Sequence, residues 1–346
     1  GQPGGQTDAV LAGGQTSTAF SATTLEWSAP AVFSKITEGQ LFFNSTTNTF
    51  KETLKIAPSG SWASGGDLNT ARGFGNGTGA SNTVGLAFGG ANPGVPADYA
   101  LTEQYNGTSW TEVGDLNAVR REFNIGTCGP YTDCMLAGGS PSPANTFTET
   151  WNGSSWTEVS DLNAAKRQFG SAGATNTASL VFGGENTGSS DLANAELWNG
   201  SAWTEVGDLN TARHENAGFG TSTSALSATG RVSSSPSTTT ESWNGSAWTE
   251  VNDVNTARRG AGPAGADNTS GLIFGGYTTD RVAITEEWNG SGWAEIADMS
   301  TTRFRPAGTG SSTSALAAAG QQTGGTPTAA SEEWSGTSDT IKVLTD

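Results

Sequence analysis

The 346 residues carry 33 acidic against 16 basic side chains, a net charge of −17, and a field of that sign repels phosphate backbones and sets nucleic acid aside as a partner. No apolar run approaches the ~20 residues of a membrane-spanning helix, which sets membrane insertion aside as well. The 49 glycines and a charged fraction of only 14% suit disorder, but twelve tryptophans recur at repeating positions and each buries a large apolar area, so a folded β protein with polar loops is expected.

The chain opens on GQPGGQ, with neither an initiator Met nor an apolar signal region, and is expected to be a processed product or part of a longer chain. A segment WNGSAWTEVGDLNTAR, here quoted from Trp198 to Arg213, then recurs in altered copies at Tyr105, Trp151, Trp243 and Trp288. Its second half survives at Trp62. The second tryptophan falls at Trp62, Trp110, Trp156, Trp203, Trp248 and Trp293, a period of 45 to 48 residues, and such a period means an array or a propeller. Each period holds four short candidate strands, a to d, separated by turn residues, as in one propeller blade. The b strands end in a glycine pair or a degraded version of one, at Gly13-Gly14, Gly89-Gly90, Gly138-Gly139, Gly183-Gly184, Thr229-Gly230, Gly275-Gly276 and Ala319-Gly320. The c strands end at Trp27, Tyr105, Trp151, Trp198, Trp243, Trp288 and Trp334, and the terminal IKVLTD can supply a seventh d strand beside the six that begin at the second tryptophan. The expectation is a single domain over residues 1–346, all-β, with seven blades of four antiparallel strands. Blade one lacks a clear a strand. It is interrupted at residues 30–60 by a hairpin insertion built from GQLFFN and NTFKETL around the turn NSTTN.

Between c and d, Asn-Gly predicts a hairpin turn with positive φ at both central residues, in a loop of two or of four residues. The same Asn-Gly-Ser/Thr reads as a glycosylation sequon at Asn106, Asn152, Asn199, Asn244 and Asn289, but the turn accounts for all five. An acid precedes the first aromatic by two residues (Glu103, Glu149, Glu196, Glu241, Glu286, Glu332). A base follows the second tryptophan by ten (Arg72, Arg120, Lys166, Arg213, Arg258, Arg303), with an Asp five after it. Repetition in every blade predicts a structural part, with buried pairing of base and carboxylate. Cys128 and Cys134, with the five residues GPYTD between them, read either as a hairpin disulfide or as two free buried thiols, and two ligands alone cannot complete a zinc shell.

A glycine pair, an aromatic 12 to 15 positions on, a Trp and a base ten residues later together resemble the kelch repeat, over residues 7 to about 345. The resemblance implies a β-propeller with four-stranded antiparallel blades. The spacing from aromatic to Trp is five here, where kelch repeats commonly have seven, which implies a tighter c–d turn. GQLFFNSTTNTFK and the WNGSSWTEV repeat also resemble segments of bacteriophage tail-fibre and related virion proteins. That likeness implies a non-catalytic virion component that binds host-surface glycan or neighbouring virion proteins, with the 30–60 hairpin as an attachment element. A glycan-degrading propeller or a host extracellular kelch-like binding protein is the alternative.

Enzymatic signals are weak, and no cofactor is expected. The single histidine, His214, excludes multi-His metal centres, and no nucleophile elbow, phosphate loop or sialidase-type box is present. Carboxylates are plentiful, but nothing marks a glycosidase pair among them. The varied positions are more informative. The b–c loops differ from blade to blade, and so do the residues eleven and twelve after the second tryptophan: Gly73/Phe74, Arg121/Glu122, Arg167/Gln168, His214/Glu215, Arg259/Gly260 and Phe304/Arg305. Arg121, Arg167, Arg259 and Arg305, with His214, Phe74 and Phe304, are therefore the candidate ligand-binding set, while Trp110, Trp151, Trp156, Trp198, Trp203, Trp243, Trp248, Trp288 and Trp293 hold the scaffold. The opposing expectation is that these arginines pair with neighbouring carboxylates such as Glu122 and Glu215.

Overall fold

The computed structural model describes residues 8–15, 20–28, 41–44, 49–56, 60–92, 97–123, 125–126, 128–140, 144–336 and 340–343. The chain divides into two compact units, residues 58–338 and residues 1–57 together with 339–346. The larger unit is an all-β propeller. Blade 1 comprises Asn76–Ser81, Val84–Phe88, Thr102–Tyr105 and Trp110–Glu112 as strands a to d. The same succession recurs through Ile125–Gly126 to Trp156–Val159 in blade 2, Gly170–Thr175 to Trp203–Val206 in blade 3, Ala217–Thr221 to Trp248–Glu250 in blade 4 and Gly262–Asp267 to Trp293–Ile296 in blade 5. Neighbouring strands pair antiparallel, and the two aromatics that bracket each c–d turn face each other in register, as in Trp198 opposite Trp203.

The propeller has six blades, not seven. Blade 6 takes strands a to c from Ala307–Ser311, Ser314–Ala318 and Ser331–Gly336, and its d strand from the other end of the sequence, Gly60–Ser64. Trp62 thus pairs with Trp334 rather than closing a blade with Trp27. The hairpin of Asp8–Gln15 and Phe20–Ser28 carries a glycine pair and a tryptophan, the marks of b and c, but among the described residues its two strands pair with each other alone. The d strand assigned to it is spent on ring closure. The terminal strand Thr340–Val343 pairs with Thr49–Ile56, which also pairs with Leu41–Asn44, so it is not the outer strand of any blade. The hairpin foreseen between residues 30 and 60 is therefore formed in its strands, while residues 29–40 and the turn 45–48 lie outside the described residues.

The c–d turn differs in kind from the two-residue form. Only the glycine takes positive φ (93° at Gly200), the loop has four residues, and the asparagine side chain does the remaining work: Asn199 Oδ1 accepts from Ser201 N and Ala202 N, both at 3.0 Å. Asn106, Asn152, Asn244 and Asn289 repeat this Asx arrangement.

Inter-blade packing explains the tryptophans. Within each hairpin the two rings lie close, with centroids 5.4 Å apart for Trp198 and Trp203. The second ring then packs on the preceding blade, as Trp156 does on Phe88 at 5.0 Å, Trp248 on Phe182 at 4.7 Å and Trp62 on Phe274 at 5.0 Å. At ~25 cal/mol/Å², one buried indole contributes roughly 4–6 kcal/mol of transfer free energy.

The six repeated bases are buried against the six repeated glutamates. Arg72 meets Glu103 at 2.8 Å, Lys166 meets Glu196 at 3.3 Å, Arg213 meets Glu241 at 3.2 Å and Arg303 meets Glu332 at 2.9 Å, and Arg120 pairs with Glu149 and Arg258 with Glu286. Burial lowers each of these bases, Arg213 to about 10, although the paired glutamate works against the shift. An asparagine seven residues after the second tryptophan completes each clamp in blades 1 to 5: Asn210 N and Nδ2 both donate to Glu241 Oε2, at 2.7 and 2.8 Å. Ser300 takes that place in blade 6. The linker between blades is thereby pinned to the c strand of the blade it enters.

Candidate functional site

The face that carries the b–c loops is built from a backbone ring. The residues twelve after the second tryptophan all take left-handed φ, from 51° at Arg305 to 59° at Phe74 and Gly260. They hand hydrogen bonds around the axis. Glu122 N donates to Phe74 O at 3.0 Å, Gln168 N to Glu122 O at 2.7 Å, Glu215 N to Gln168 O at 2.6 Å, Gly260 N to Glu215 O at 2.9 Å and Arg305 N to Gly260 O at 2.8 Å. The residue just before each of these bridges outward to the first residue of the same blade's b–c loop: Gly73 to Ala91, Arg121 to Ser140, Arg167 to Glu185, His214 to Arg231, Arg259 to Tyr277 and Phe304 to Gln321. The structure thus brings the whole candidate set to one mouth.

Below the mouth the axis is filled. Ile125–Gly126, the innermost segment of blade 2, pairs in parallel with the a strands of blades 3 and 4, and Asn76 Nδ2 of blade 1 donates to Gly126 O at 3.1 Å. A Cβ on Gly126 would lie 2.2 Å from Ser171 O and 2.5 Å from Gly218 O, so only glycine fits there. The recess bordering the mouth, lined by Arg72, Asn76, Phe88, Arg305 and Ala319, has room for about one water.

Most of the mouth arginines are spoken for. Arg167 reaches Glu122 at 3.2 Å and Glu185 at 2.8 Å; Arg259 reaches Glu215 at 2.5 Å; Arg305 reaches Glu215 at 2.6 Å; Arg121 reaches Asp98 at 3.2 Å. His214 Nδ1 lies 2.6 Å from Asp191 Oδ1, and Asp191 Oδ2 accepts from Ser233 N. Burial alone would raise the Glu215 carboxyl, but the Arg305 and Arg259 guanidinium groups outweigh it and hold the group below the usual carboxylate range.

The aromatics of the mouth cluster on three consecutive blades. Arg281 lies 5.9 Å from the Tyr277 ring, Arg259 lies 4.7 Å from Tyr277 and 5.1 Å from Phe304, and Arg305 lies 5.4 Å from Phe304 and 5.2 Å from Phe74. This ladder of alternating cations and rings runs across blades 5, 6 and 1, while carboxylates crowd blades 2 to 4. Sequence reasoning found Phe74 and Phe304 but missed Tyr277, Arg281, Arg231, Glu185 and Asp191. Their signal was available, since each falls in a loop that starts directly after a glycine pair, the strand that bridges to the varied positions. Parts of three b–c loops, residues 16–19, 93–96 and 141–143, lie outside the described residues.

Cys128 and Cys134 are both buried and no disulfide joins them; burial pushes the Cys134 thiol well up, reinforced by its hydrogen bond with Cys128. Among the described residues no three His, Cys, Asp or Glu side chains gather as a metal site. Fold and mouth define the class: a six-bladed β-propeller closed by pairing of Gly60–Ser64 with Ser331–Gly336, with an ion-paired, aromatic-lined opening. No family model matches the chain, and no curated protein matches it.

Proposed function

We propose that the chain is a non-catalytic, kelch-like propeller of a bacteriophage virion, in a tail fibre or decoration, and that its mouth binds a host-surface glycan. The observation that carries this is the division between constant and varied parts. Tryptophans, clamps and turns repeat in every blade, whereas the ladder of Phe74, Arg305, Phe304, Arg259, Tyr277 and Arg281 occupies three blades only, so the fold does not require it. Two features favour binding over hydrolysis. Glu215 is held ionised between two arginines, the reverse of the protonated acid a glycosidase needs, and the filled axis leaves no deep cleft at the mouth. Contact with neighbouring virion proteins belongs to the smaller unit, whose strands Leu41–Asn44 and Thr340–Val343 are the two edges of a three-stranded sheet.

The test uses the full chain and the double variant Phe74→Ala, Tyr277→Ala on an array of bacterial-surface glycans, with thermal melting as the control for folding. Binding by the parent chain that falls at least tenfold in a folded double variant supports the reading. Binding that is absent in the parent, or unchanged in the variant, overturns it. Mass spectrometry of purified particles against cell fractions checks the virion assignment, which fails if the chain stays with the cells.

A further inference from the structure

The mouth arginines differ in what their donors meet. Arg121, Arg167, Arg259 and Arg305 each reach a carboxylate within 3.2 Å. Arg281 does not. Its side chain is only 17% exposed, yet its nearest carboxylate is Asp280 at 3.6 Å, beyond hydrogen-bond reach and itself 63% exposed. The Arg281 Nε is buried with no hydrogen-bond partner. One side of the guanidinium is set by the Tyr277 ring at 5.9 Å. The other approaches the next blade's loop, where a Cβ on Gly325 would stand 3.4 Å from Nη2 and where Gly324 and Gly325 both take positive φ. Side chains are thus missing from the one place where they would close over the cation.

The fold does not call for a cation here. The residue that bridges back to the first loop residue is Asp191 in blade 3, Pro236 in blade 4, Arg281 in blade 5 and Pro327 in blade 6. A guanidinium drawn this far from water with only an exposed carboxylate at 3.6 Å is weakly compensated, and its planar fork matches an oxyanion in two parallel hydrogen bonds. We infer that Arg281 anchors an oxyanion subsite, between the Tyr277–Arg281 loop of blade 5 and the Thr323–Gly325 turn of blade 6, that takes the carboxylate or sulfate of an acidic sugar. This rests on the mouth being a glycan-binding face and names the class of sugar. The arginines within 3.2 Å of a carboxylate are already neutralised and Arg231 lies on blade 4, so on the aromatic side of the mouth selectivity for acid over neutral sugar falls to Arg281.

The experiment measures binding of the full chain by calorimetry to oligogalacturonate, to its methyl ester, and to sulfated and unsulfated dextran oligomers, with Arg281→Gln and Arg281→Lys beside the parent. The expected result is at least a tenfold preference of the parent for the acid over its ester, or for sulfated over unsulfated dextran, the preferred pair assigning the oxyanion. Arg281→Gln abolishes the preference while leaving neutral affinity in place, and Arg281→Lys keeps part of it. Equal binding of acidic and neutral forms by the parent overturns the subsite but leaves glycan binding standing, and binding of none of the four overturns the subsite and counts against the glycan reading as well. Melting supplies a readout without ligand: an unpaired cation kept for binding predicts that Arg281→Gln melts at or above the parent. A fall of more than about 4 °C marks a structural part instead and overturns the assignment.

Discussion

At the scale of single residues, the repeat makes the protein its own control. The second tryptophan donates to a hydroxyl on the preceding blade in three copies, Trp156 to Thr102 at 3.0 Å, Trp203 to Thr148 at 3.2 Å and Trp62 to Thr285 at 3.1 Å, whereas Trp248 and Trp293 Nε1 are buried without a partner. The equivalent of those threonines on blade 3 is Ala195, fully buried. Ala195→Thr is therefore expected to raise stability by about 1 kcal/mol, read as a rise of roughly 2–4 °C in melting temperature. No rise, with the fold intact, means that the site cannot take the extra atoms. Glu215 carries a pH prediction. Its carboxyl is held below its unfolded value, so it stabilises the fold above about pH 4.3 and that contribution is lost as pH falls through the lower, folded value. Glu332, which accepts from Ser300 and Thr301 and faces Arg303, is lowered too and adds in the same window. Glu215→Gln is expected to flatten the acid limb of stability measured between pH 2 and 5. At pH 7 it should cost about 3–5 kcal/mol, because Arg305 is left buried without its carboxylate.

At the scale of elements, the a strands meet on the axis and tolerate almost nothing extra there. Gly126→Ala is expected to cost at least about 2 kcal/mol, since its Cβ would sit on carbonyl oxygens from two other blades; Gly292→Ala, with nothing within 4 Å, is the matched control and should stay within about 0.5 kcal/mol. Near-equal melting of the two would mean that the axis is not packed as described. Strand content was legible in the sequence because every element announces itself locally: a glycine pair ends b, paired aromatics bracket the c–d turn, and the base ten residues on marks the linker. Blade number was not legible, because it depends on which strand Trp62 pairs with, a contact made 272 positions away at Trp334. The glycine pair at Gly13-Gly14 and the tryptophan at Trp27 copy the local signals of a blade, yet the strand foreseen to complete it pairs with Ser331–Gly336 instead. For the candidate site, repetition and variation picked out residues that the fold gathers on one face, but side-chain reach decided which arginines are committed to carboxylates, and spacing carries no record of reach.

At the scale of the whole molecule, charge is sorted by place. Residues 58–338 hold 12 basic and 27 acidic side chains, a net of −15. Six of the bases are buried in the clamps and the other six, Arg121, Arg167, Arg231, Arg259, Arg281 and Arg305, all lie at the mouth. The outside is left to acids. Glu112, Glu158, Glu205, Glu250 and Glu295 stand exposed on the outer d strands, and Asp67, Asp115, Asp161, Asp208, Asp253 and Asp298 stand exposed on the linkers. Like charge on an outer strand discourages pairing with the edge of another copy, so the rings of acid have a use in keeping open edges apart. They also repel one another. Exposed charges are screened within a Debye length of ~8 Å at physiological ionic strength, whereas the buried clamps are screened far less. Salt should thus relieve the repulsion without weakening the pairs that hold the linkers. The melting temperature is expected to rise by several degrees between 10 and 300 mM sodium chloride, as sodium chloride is too weak a stabiliser of apolar burial to do so over that range by itself. A fall over the same range would mean that attraction between exposed charges outweighs the repulsion of the acid rings, and Glu158→Gln with Glu205→Gln separates the two cases. Removing like charge from the rim should raise the low-salt melting temperature and shrink the salt response.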